Sequence, residues 1–282
     1  FALNYAVGGL VPFDFHLTNI AIHIGNALLV YALVSVIFRT PAMRGAGERG
    51  VALLAAFTAS VIFLSHPIES QAVSYVTQRF TSLCTFFYLL SLLLYAKSRM
   101  AREGGRGWRT MYAASLVAAV VAMKTKEISF TIPFMIVLLD LVFFSDGFRK
   151  GKWMRVPFYF TLIIIPLSVL GPDIGLFADH GTNAGHLRAL QVNDLTKLSK
   201  VAYLLTEFSV VVTYLRLLFF PVNQSLEYDF PLSHSIFEPA TLLSFLFLLS
   251  IAVFGAYALI KSKRGGSAWG ALFSFGIFWF FL

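Results

Sequence analysis

Leu17–Phe38 reads "LTNIAIHIGNALLVYALVSVIF", 22 residues with no Asp, Glu, Lys or Arg among them. As a helix it reaches about 33 Å, enough to cross the roughly 30 Å hydrocarbon core of a bilayer. The run is not uniformly greasy. His16, Asn19, His23 and Asn26 follow one another at spacings of 3, 4 and 3, which places all four on one narrow stripe of a helix. Polar side chains inside a membrane helix turn toward a partner helix or a cavity rather than lipid. The stretch therefore predicts a bundle of membrane helices. The stripe itself has two readings: interhelical hydrogen bonding, or a ligand contact by His16 at the outer mouth. With no third histidine nearby in sequence, the stripe is not read as a metal site.

Composition extends that reading to the whole chain. Of 282 residues, 58% are hydrophobic, 13% are charged and 30 are Phe, which no ordinary water-soluble domain matches. The single Cys84 lies in an apolar run and supplies neither a disulfide framework nor a cysteine metal site. The first residue is Phe and the last run is "FSFGIFWFFL", so the chain is expected to be a fragment; its start lacks the pattern of a signal peptide. Apolar runs predict spans at about 17–38, 51–65, 80–96, 111–123, 128–144, 157–170, 240–260 and 268–282, within one membrane domain, 1–282. Several are short for a crossing and must borrow from their polar flanks.

Charge sets the orientation. Loops 39–50, 97–109 and 145–156, with Lys261, Lys263 and Arg264, hold 15 of the 22 basic residues and 3 of the 14 acids. By the positive-inside rule these loops are cytoplasmic. The net charge of +8 is then a topology signal and not a nucleic-acid signature. Residues 201–220 form a further apolar run, but if it crossed, Lys261, Lys263 and Arg264 would emerge on the outside. It also carries Glu207 and Arg216, costly at mid-bilayer. It is expected to be an amphipathic or re-entrant helix within one outer region, 171–239.

The outer side collects the candidate chemistry. In "FLSHPIESQAVSYVTQR", Phe63–Arg79, Pro67 suits a first helical position with His66 as the cap, and Glu69 falls where a carboxylate can reach free backbone N–H groups. This is either a capped connector, or His66, Glu69 and Arg79 brought around a substrate. Lys124, Lys126 and Glu127 punctuate the next outer turn. They either anchor helix ends, or Lys126 binds a lipid-linked phosphate that Glu127 orients. Glu227, Tyr228 and Asp229 form either an ordinary turn or a carbohydrate contact. Phosphate-cradling glycine loops, G-x-S-x-G and H-E-x-x-H are all missing.

Four segments, in order, carry a resemblance: "FALNYAVGGLVPFDFHLTNIAIHIGNALLVYAL" (1–33), "SHPIESQAVSYVTQR" (65–79), "KTKE" (124–127) and "TYLRLLFFPVNQSLEYDFP" (213–231). The chain resembles the membrane portion of the transmembrane-and-TPR-repeat family of protein O-mannosyltransferase-like enzymes, particularly its bacterial members. The resemblance implies an all-α integral membrane protein, a multi-span bundle of the glycosyltransferase C type with amphipathic helices on the outer face. It implies transfer of a sugar from a polyprenyl-phosphate carrier to a protein Ser or Thr; no cofactor and no metal-ligand set is read from the sequence. The active face would be periplasmic in a bacterial inner membrane, or lumenal in the endoplasmic reticulum. His66, Glu69, Arg79, Lys126, Glu127, Tyr228 and Asp229 fall on family segments, although Glu69 stands where relatives carry a second His. The catalytic carboxylate would precede Phe1, and TPR repeats that engage a protein partner would come after the membrane part. A transferase acting on a lipid or wall glycan, and a non-catalytic subunit or transporter, are the alternatives; a transporter should show repeated halves, which the sequence lacks.

Overall fold

The computed structural model describes residues 2–9, 11–104, 107–144, 152–163, 199–225 and 228–282. Every regular element among them is helical: α1 Ala2–Gly8, α2 Pro12–Ile37, α3 Arg49–Ser65, α4 Ser70–Ser74, α5 Arg79–Gly104, α6 Trp108–Thr125, α7 Ile132–Phe143, α8 Lys152–Thr161, α9 Lys200–Phe219, α10 Pro239–Lys263 and α11 Ala268–Phe281. The parts of the expected span 157–170 and outer region 171–239 that fall on 164–198, and Glu227, lie outside the described residues. α2, α5 (from Val76), α9 and α10 are long and apolar enough to cross a membrane, and α3 joins them when taken with Pro67–Ser74. The protein is an all-α, multi-pass membrane protein.

The chain divides into two compact units, Phe1–Ser168 with Gly255–Leu282, and Val169–Phe254. In the first, α2 shows why a membrane helix can carry a polar stripe. Phe13, Leu17, Ile20, Ile24 and Leu28 are exposed at helical spacing, whereas Asn19, His23 and Asn26 are buried. The apolar face is turned to lipid and the polar face to protein. α5 and α6 form a hairpin through Gly107, whose φ of 73° suits a residue without a Cβ. Ser91 and Ser115 hydroxyls each donate to the other's carbonyl, at 3.0 and 2.7 Å. Ala118, Ala119 and Ala122 are buried alongside, the small residues that let membrane helices approach closely.

A charge cluster that sequence reading missed locks the basic end of this unit. Asp140 of α7 is fully buried; its carboxylate accepts from Arg99 at 2.9 Å, Tyr95 at 2.8 Å and Arg155 at 3.2 Å. Arg99 also stacks over Phe144, 4.7 Å from its centroid. Arg99 and Arg155, read above as loop charges, are in fact the buried partners of an acid inside an apolar run. Asp140→Asn is expected to cost about 3–5 kcal/mol, since it leaves two guanidiniums buried beside a neutral partner. A denaturation series in detergent checks this; unchanged stability would show that the cluster does not lock the bundle.

In the second unit the start of α10 sits beside the first half of α9. Ser233 N–H donates to Thr206 Oγ1 at 2.9 Å, Thr241 to Ser233 Oγ at 2.9 Å, and Phe208 packs on Phe245 at 5.2 Å. After α9 ends at Phe219, the non-helical connection must therefore return past about four turns, roughly 20 Å. Irregular backbone cannot recross hydrocarbon in contact with lipid. That return favours α9 lying along the interface, even though its length would allow a crossing. Cysteines placed at 222 and 232 should react with an impermeant outer-side reagent; reaction from the cytoplasmic side only would reverse the placement.

Candidate functional site

Pro67 organises the stretch Ser65–Arg79. A residue before proline is driven to extended backbone, and His66 adopts φ −67°, ψ 128°, which ends α3 at Ser65. Pro67–Ser74 then leaves at 48° to α3. The single helix expected here is instead three pieces: a 3₁₀ turn at Pro67–Glu69, α4, and a second 3₁₀ turn at Val76–Gln78, with extended Tyr75 between them. His66 does cap the first turn, its Nδ1 accepting from Ile68 N–H at 3.2 Å.

The α2 stripe packs against this stretch and the start of α5 through backbone carbonyls, one of which, Leu64 O, has lost its helical donor because Ile68 N–H goes to the His66 ring. His23 Nε2 lies 3.1 Å from Leu64 O, Asn19 donates to Tyr75 O at 3.4 Å and Asn26 to Ser82 O at 3.0 Å. His16 comes within 3.5 Å of Val73 O, a marginal contact. His23 also stacks on Phe63, with centroids 5.4 Å apart.

Arg79 completes the support. Its Nε donates to Asn19 Oδ1 at 2.8 Å, one terminal nitrogen to Asn4 Oδ1 at 2.7 Å and the other to Phe15 O at 2.8 Å. The guanidinium lies over the Phe15 ring and is 6% exposed. It ties α1 and α2 to the start of α5, so its geometry fits positioning better than substrate contact. Glu69, half-buried, lies near His23 and His66.

Lys126 arrives at the same end of the bundle from α6. Its ammonium donates to Thr81 Oγ1 at 2.7 Å, and Thr81 donates to Gln78 Oε1 at 2.8 Å. Lys126 has extended backbone, φ −158°, ψ 143°, and its carbonyl accepts from Ser129 Oγ at 2.7 Å. Glu127 is exposed beside it. The two sequence motifs, 65–79 and 124–127, are thus joined through α5. Tyr228 and Asp229 belong to the other compact unit; there the Tyr228 hydroxyl accepts from Ser225 N–H at 2.9 Å and donates to Asn223 O at 3.2 Å.

Two apolar cavities lie in the first unit. The smaller, about 210 Å³, is lined by Cys84, Tyr88, Ile128, Thr131 and Trp279 among others; the Cys84 thiol points at Lys126 O, 3.7 Å away. The larger, about 460 Å³, runs among Val30, Ile37, Phe63 and Phe275 and shares Thr85, Leu89 and Trp279 with the smaller. Sequence reading found neither the cavities nor the Thr81–Gln78 relay, because their members come from distant helices. Arg79→Lys is expected to lose about 3 kcal/mol, since one ammonium cannot reproduce a three-way fork. Thermal unfolding in detergent checks it, and wild-type stability would contradict the tie.

No family model and no solved structure matches the chain significantly. Curated proteins do. Human protein O-mannosyl-transferase TMTC4 is 32% identical over 146 residues, 50% of this chain and 20% of that protein. Mouse TMTC2 is 32% identical over 51% of this chain and 16% of its own length, and human TMTC3 is 28% identical over 60% and 18%. The chain thus spans about a fifth of the length of these relatives. Over the matched half, the chain is similar to the TMTC protein O-mannosyl-transferases.

Proposed function

We propose that this chain is the membrane part of a glycosyltransferase that moves a sugar from a polyprenyl-phosphate carrier to a Ser or Thr hydroxyl of a protein at the outer leaflet. The observation that carries the reading is Lys126: a cation held in place by Thr81, beside the broken stretch 65–79, with its carbonyl against the Cys84 thiol that lines the smaller apolar cavity. A phosphate on an apolar tail needs that combination. Its relatives' names support the sugar-transfer chemistry and the protein acceptor.

In the reaction, the acceptor oxygen bonds to the anomeric carbon as the bond from that carbon to the carrier phosphate breaks. The hydroxyl proton passes to a carboxylate base, which the family resemblance puts before Phe1. Negative charge grows on the departing phosphate, and Lys126 offsets it. Thr81 and Gln78 hold the ammonium, so little reorganisation accompanies the charge movement. Glu127 orients the carrier, and His66 with Glu69 forms the neighbouring wall. Arg79, Asn19 and His23 position that wall.

Lys126→Ala should lower transfer by about 10²–10³-fold, the scale of losing one transition-state charge partner, while the protein stays folded and inserted. Thr81→Val should give a smaller loss, because the ammonium remains but is less well aimed. Transfer at the wild-type rate in Lys126→Ala, measured with a purified polyprenyl-phosphate sugar, would remove Lys126 from the site.

A further inference from the structure

A third cavity, about 550 Å³, lies at the opposite end of α2 from the candidate site and is lined by Arg44, Lys263, Ser267 and Trp269 over Ala42, Ala46 and Val142. We propose that it binds the phosphate of an anionic lipid headgroup on the basic face of the membrane. This inference is independent of the transferase reading.

The positive-inside rule explains the sign of charge on this face, but not why two cations wall one cavity. Lys263 is held in that wall by donating to Val142 O at 3.3 Å, and an ammonium has two further hydrogens for a ligand. Arg44 offers a planar fork suited to phosphate oxygens. Among the described residues no carboxylate lines the cavity. Lys261, two residues from Lys263, behaves differently: it lies over the Tyr257 ring at 5.8 Å and is not part of the lining.

A lipid source fits better than a soluble one. Trp269 packs edge-on against Phe38, with centroids 5.9 Å apart, at the end of a predicted span, and tryptophan is the residue that settles at headgroup level. The alanines and Val142 give the cavity an apolar floor beside its cations, which suits a phosphodiester followed by a glycerol backbone.

The test uses the full chain in detergent and native mass spectrometry with phosphatidylglycerol or phosphatidylcholine. The wild-type chain should retain phosphatidylglycerol about tenfold more strongly, a difference of about 1.4 kcal/mol. Lys263→Gln and Arg44→Gln should each erase most of that preference, while Lys261→Gln, removing the same charge outside the cavity, should keep it. Arg44 is exposed on a loop, so its variant separates lost binding from lost folding. Equal weakening by all three variants would mean diffuse charge attraction and overturn the site. Displacement of the lipid by millimolar inorganic phosphate would reassign the cavity to a soluble phosphate and overturn the headgroup assignment.

Discussion

When Pro67 stops α3 and Tyr75 breaks the helix again after α4, the Leu64 carbonyl loses its helical donor, because Ile68 N–H goes to the His66 ring instead, and the side chains of α2 line the broken stretch. Asn19, His23 and Asn26 do so from one face of a single helix. Unsatisfied carbonyls in apolar surroundings are costly, so this pairing is what permits a bent, non-helical wall at a place where a straight helix would be the easier solution. Arg79 fixes the far end of the wall to α1 and α2. Lys126 reaches it through Thr81. Remove the stripe, and the wall loses the side chains that hold its bent backbone.

The two ends of the first unit solve the burial of polar groups differently. At the candidate site, side-chain amides and imidazoles serve backbone carbonyls, and one arginine is shared among three oxygens. At the basic end, a full acid, Asp140, collects two arginines and a tyrosine. The first arrangement leaves side chains such as Glu69 and Lys126 near an accessible surface. The second is closed, and its work is to fix α5, α7 and α8 against one another. Polar chemistry inside a membrane bundle therefore does not by itself mark a site; access does.

Much of this architecture was legible in the sequence, and the limits have physical causes. The 3-4-3 spacing of His16, Asn19, His23 and Asn26 placed a buried stripe correctly, because helical periodicity needs no knowledge of the partner. The same logic overreached at Ser65–Arg79: the helix start at Pro67 suggested one helix, while Tyr75 is extended and its carbonyl accepts from Asn19, 56 residues away. Asp140 escaped notice because it sits in "IVLLDLVFF", and Arg99 and Arg155 looked like loop charges because their acid is 41 and 15 residues distant. An ionisable residue within an apolar run was nonetheless a signal that could have been pursued. The family resemblance contributed what periodicity could not, the ordered set of outer-face segments.

α2 holds the broken stretch in shape, and hydrogen–deuterium exchange tests that dependence most directly. In an Asn19→Ala, His23→Ala variant, amides between residues 64 and 79 should exchange faster than in the wild-type chain, while those of α6 and α7 remain protected. Unchanged exchange across 64–79 in a variant that has lost both side chains would contradict the dependence.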